Sequence, residues 1–227
     1  MRWPSIHDIK AAVRRLPGAA LLLSFAAVAI HAIPSLAASL QFEPHAVATG
    51  QGWRLITGHW PHWSAQHLWW DAVVFLVLSI ICERRGRLRY LACVVASALS
   101  ISLVLYLTQT GAMTYRGLPG IDSALFVLLL GLIVREQFAA RGWAWIAAAL
   151  LLFAAFLAKL GYELTTGATV FVDNTAGGFV PLPLAHAIGA AVGLLSAIFV
   201  PAGKAAGQRV KFNTLLKAGS CRPALNP

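Results

Sequence analysis

Six apolar runs separated by polar connections, two of them long, set the rhythm of this chain: about Gly18–Leu40, Ala65–Cys82, Tyr90–Leu107, Leu118–Val134, Trp143–Ala158 and Val180–Ala202. Each is near the length a helix needs to cross hydrocarbon. Backbone N–H and C=O groups have no water to bond in lipid, so runs of this length are expected to be helices. The pattern predicts an all-α integral membrane protein built as a six-helix bundle. The fourth and fifth runs are short, and the expectation for them is a helix that starts inside the protein, at the floor of a cavity.

Composition agrees with that picture. The chain has 227 residues, 59% of them hydrophobic and only 11% charged, which is more apolar than a soluble domain. The three cysteines, Cys82, Cys93 and Cys221, have neither a metal-ligand spacing nor a disulfide framework. Arg2, Lys10, Arg14 and Arg15 precede the first run, Arg84, Arg85, Arg87 and Arg89 follow the second, Arg135 and Arg141 follow the fourth, and five more follow the sixth. That puts fifteen of the 18 basic residues on one side and leaves Arg54, Arg116 and Lys159 for the other. Both termini are therefore expected in the cytoplasm, in a bacterial-type inner membrane. The net charge of +10 is a topology signal with some attraction to anionic lipid, and it calls for no nucleic-acid partner.

The expected organisation is a cytoplasmic interfacial segment over 1–17, a membrane domain over 18–203 and a basic cytoplasmic tail over 204–227. In the first segment Ile6, Ile9, Val13 and Leu16 fall at helical spacing, which suits a helix lying on the inner surface. A signal peptide ending near Ser35-Leu36-Ala37 is the competing reading, and the length of the first run favours a retained span.

His186 is the first candidate for chemistry, because it stands in a stretch with no formal charge from Thr175 to Gly203. An ionisable group inside a span points to function unless it merely bonds a neighbouring helix. Gly189 and Gly193 share its helical face and let another helix come close. A second set lies in the connection from Gln41 to Ser64. There Trp53, Arg54, Trp60 and Trp63 form an aromatic set suited to the membrane interface. His59 and His62 follow, then His67 with Asp71 one turn later, so these polar groups can converge in a cavity. Three histidines and an aspartate also suggest zinc, but no H-E-x-x-H pattern or second ligand-rich helix accompanies them, and no metal or other cofactor is expected.

The fourth run opens Tyr115-Arg116-Gly117-Leu118-Pro119-Gly120-Ile121-Asp122-Ser123. Pro119 is tolerated in a first turn, and the glycines allow a tight bend and close approach. A helix starting here aims free N–H groups into a cavity, where they would stabilise an anion or a developing oxyanion.

These residues resemble the rhomboid intramembrane serine proteases, and among them the compact bacterial rhombosortase-like members. The resemblance runs from Trp53 to about Gly193. It rests on Trp53-Arg54, on His62, His67 and Asp71 at their spacings, on Gly117-Leu118-x-Gly120, and on His186-x-x-Gly189-x-x-x-Gly193. It implies a serine and histidine dyad below the outer surface, where a substrate helix is unwound and cut. The family's catalytic histidine corresponds to His186, its oxyanion-side histidine to His67, its asparagine to Asp71 and its loop histidine to His62. The nucleophile corresponds to Pro119, which has no nucleophilic group. Ser123, one turn deeper on the same face, is the substitute within reach of His186; its alternative is a bond to its own helix carbonyl. Asp71 departs from the family's amide, and as a protonated acid it would donate to an oxyanion, or it would orient His67. Asp122 is a candidate third member beside His186, ranked below a structural role.

Three functions stay open at this point. One is an endopeptidase that uses Ser123 and His186 on single-span membrane proteins. Another is a pseudoprotease that binds client transmembrane helices uncut. The last is a small transporter, for which neither a repeat nor paired broken helices are present.

Overall fold

The computed structural model describes residues 16–108, 113–167 and 183–199. The expected surface helix over Ile6–Leu16 lies almost wholly outside these, as do the basic tail and Cys221. Nine helices occur among the described residues: α1 (Gly18–His31), α2 (Pro34–Leu40), α3 (Pro44–Ala48), α4 (Arg54–Thr57), α5 (Ala65–Arg85), α6 (Arg87–Thr108), α7 (Pro119–Ala140), α8 (Trp143–Thr166) and α9 (Pro183–Phe199). The protein is all-helical. Four helices, α5 to α8, are long and apolar enough to cross a membrane, five if α1 and α2 count as one broken span, and α9 is a shorter apolar helix of 17 residues.

The first run does not continue as one helix. Pro34 has no N–H to give and holds Ile33 in an extended conformation, so the chain turns by 115° between α1 and α2. The fourth and fifth runs also differ from expectation. They are short only because polar residues end the apolar pattern; the helices carry on through those residues, α7 to 22 residues and α8 to 24. Lys159 lies within the C-terminal part of α8, paired with Glu163 at 2.6 Å.

α7 occupies the centre, packed against α5, α6, α8 and α9. Its sequence is apolar on every face, as a helix surrounded by protein must be. The closest of these packings is with α9. A Cβ added to Gly189 would stand 1.8 Å from the Gly120 carbonyl oxygen, and one added to Gly193 would stand 2.2 Å from that of Ala124. Contacts that advance together on both helices make α7 and α9 parallel. α8 is the outlier, with almost all of its span uncovered by protein.

The long connection between α2 and α5 is anchored to the bundle. Buried Arg54 gives Nη1 to the carbonyls of Ala38 and Gln41 at 3.1 and 2.7 Å, satisfying the end of α2. Phe42 and Tyr115 exchange backbone hydrogen bonds of 3.2 and 3.0 Å, which ties the connection to the lead-in of α7. Trp60 is also buried, its Nε1 donating to the Leu23 carbonyl at 3.0 Å. The expected interfacial aromatic set is thus split: Trp60 is buried, Trp53 is exposed, and Trp63 is half-buried under the Arg116 guanidinium, 4.4 Å away.

Candidate functional site

The start of α5 is fixed by Ser64, whose Oγ accepts from the His67 N–H at 3.1 Å. That cap sets the first turn so that His67 and Asp71 share the inward face. Nε2 of His67 stands 3.0 Å from Asp71 Oδ2, and Nε2 of His62, from the connection, stands 3.4 Å from the same oxygen. The two imidazoles meet edge to face with centroids 5.2 Å apart. The structure therefore brings His62, His67 and Asp71 together, all buried. They answer one another, and no group among the described residues is arranged to hold a metal ion. Burial lowers the His62 pKa from its usual value, against the pull of the Asp71 carboxylate.

This cluster sits against the entry to α7. Gly117 has φ +114°, a conformation that side chains rarely adopt, and a Cβ there would lie 2.9 Å from Cε1 and Nε2 of His67. Glycine is needed at 117 on both counts. Leu118 caps α7 without a side-chain hydrogen bond, and Pro119 occupies the first turn. Gly120 faces α9, where a Cβ would meet the Ala185 carbonyl at 2.9 Å.

His186 precedes Gly189 by one turn of α9. Gly189 meets the carbonyl oxygen of Gly120, which points forward along α7, and the carbonyl of Ala185 in turn meets Gly120, so with α7 and α9 parallel His186 stands near the level of Pro119. Ser123 is then about one turn, ~6 Å, further along the axis. Ser123 does not bond His186. It is buried, and its Oγ donates to the Pro119 carbonyl at 2.8 Å, the bond that serine commonly makes inside a helix. Asp122 is buried too, with Oδ1 lacking a hydrogen-bond partner among the described residues and no ion pair to His186.

The sequence reading missed the carboxylate that does face His186. Glu163 of α8, 3% exposed, places Oε2 at 3.6 Å from His186 Nδ1. The signal was there: Lys159 and Glu163 at i and i+4 neutralise each other and let a helix run on past its apolar stretch.

A model of the Rhomboid domain family matches residues 49–202. The chain belongs to the rhomboid family. Rhomboids are in general serine proteases of the membrane interior that act on transmembrane substrates, and this rhomboid is a multi-pass membrane protein. The match begins at the connection that carries His62 and ends beyond Gly193, so it takes in each of the sites described above. No curated protein sequence matches this rhomboid.

Proposed function

We propose that this rhomboid is a pseudoprotease of the compact rhombosortase-like kind, which receives client transmembrane helices in the cavity beside α7 and holds them uncut. Pro119 carries the proposal. It stands at the level of His186 where the family's nucleophile is expected, and a proline side chain can neither attack a carbonyl nor pass on a proton. The nearest hydroxyl on that face of α7 belongs to Ser123, which is deeper and already bonded to Pro119. His62, His67, Asp71, Gly117 and Gly120 would line the cavity, while Gly189 and Gly193 hold α9 in place. The charge pattern supports six spans with both termini in the cytoplasm of a bacterium, and membrane lipids and single-span proteins as partners.

An endopeptidase using Ser123 and His186 is the second reading. It is favoured by one observation, a buried carboxylate facing His186, since a histidine with an acid at one nitrogen is arranged as a base at the other. It requires the Ser123 hydroxyl to leave the Pro119 carbonyl and turn toward His186.

Purification with a tagged single-span client tests both. Recovery of the intact client, at a yield unchanged by Ser123→Ala, is the expected result. Cleaved client that becomes intact in Ser123→Ala and in His186→Ala would replace the first reading by the second.

A further inference from the structure

Away from the His62, His67 and Asp71 cluster, a buried charge pair stands beside His186. Glu163 takes Lys159 Nζ on Oε1 at 2.6 Å, which neutralises a charge that would be costly in hydrocarbon. That pairing leaves Oε2 unexplained. It is buried, has no hydrogen-bond partner among the described residues, and faces His186 Nδ1 at 3.6 Å across the gap between α8 and α9.

We propose that Glu163 is a positioning residue for His186, selecting the form of the ring that keeps its proton on Nδ1 and presents Nε2 as an acceptor. A carboxylate accepts and does not donate, so the ring nitrogen facing it is the one favoured to carry hydrogen. At 3.6 Å the contact is electrostatic; closing by about half an ångström would make it a hydrogen bond. Nε2 has no hydrogen-bond partner among the described residues, and the side chain keeps 19% of its surface exposed. What Nε2 would take is a hydrogen-bond donor, a hydroxyl or a backbone N–H from a client segment whose helix has come apart. That ligand chemistry rests on the client-holding reading, whereas the positioning does not.

Nitrogen-15 NMR of the full chain labelled at histidine, with His186→Asn supplying the assignment, reads the proton directly. The wild type is expected to show a protonated Nδ1 and a bare Nε2 at His186. Glu163→Gln with Lys159→Met leaves no unpaired charge and an amide oxygen that still accepts, so the same form should persist. Glu163→Leu with Lys159→Met should lose it, giving a mixture or the opposite form. A bare Nδ1 in the wild type overturns the proposal even if neither double variant folds, and so does an unchanged His186 signal in the leucine variant. Client recovered equally well by His186→Asn overturns the ligand chemistry alone. No client recovered by the wild type overturns the client-holding reading with it.

Discussion

Gly189 lies on the backbone carbonyl of Gly120, leaving no room for even one carbon: a Cβ would come within 1.8 Å of the oxygen. The neighbour is backbone at the centre of the bundle and cannot swing aside. Gly189→Ala should therefore push α9 off α7 and destabilise the protein by roughly 1–3 kcal/mol or more, as overpacking does. Gly161→Ala, on the uncovered helix α8 with nothing within 4 Å, is the control, expected to be neutral or slightly stabilising. Thermal unfolding in detergent separates them. Equal midpoints for the two variants would contradict the packing described.

Glu83 caps a helix to which it does not belong. Its carboxylate, on α5, accepts from the N–H groups of Ala19 and Ala20 at 3.2 and 2.7 Å and pairs with Arg87 Nε at 2.9 Å. A negative charge at the start of α1 meets both the orphan donors and the helix dipole. Glu83→Ala should cost about 1–3 kcal/mol and expose the α1 start to proteolysis, with Glu83→Gln milder. Unchanged stability and protease resistance in Glu83→Ala would show that α1 is held by its apolar face alone.

Acid should loosen the connection between α2 and α5 through His59. This ring lies outside the spans, fully buried, with Nε2 at 3.0 Å from the Ala98 carbonyl and 3.1 Å from Ser102 Oγ. Burial lowers its pKa from 6.5 to about 4. Between those values the unfolded chain binds a proton that the folded chain refuses, so the stabilisation is complete above pH 6.5 and is lost as pH falls toward 4. The loss from this one group is on the order of 3 kcal/mol. His62, lowered by burial as well, adds to the slope. Midpoints measured at pH 7.5 and 4.5 should differ, and less so in His59→Gln; the same difference in both proteins would remove His59 from the explanation.

The long apolar runs made the membrane helices and their order legible, because lipid leaves the backbone no alternative. The convergence of His62, His67 and Asp71 was legible from one i,i+4 spacing and the short connection before it. Three things were hidden for physical reasons. Pro34 stands inside a continuous apolar run, where hydropathy alone does not register a turn of 115°. Lys159 and Glu163 read as the end of a span because charge was counted singly, whereas paired one turn apart they continue it. Ser123 shares a helical face with Pro119, yet face alone does not say that its hydroxyl bonds the Pro119 carbonyl.

Labelling with a fluorophosphonate serine probe tests most directly whether Pro119 is what silences this rhomboid. The wild type and Ser123→Ala should both stay unlabelled, while Pro119→Ser, which puts a hydroxyl level with His186, should gain labelling that His186→Ala removes. Labelling of the wild type that disappears in Ser123→Ala would contradict the account and make Ser123 the nucleophile.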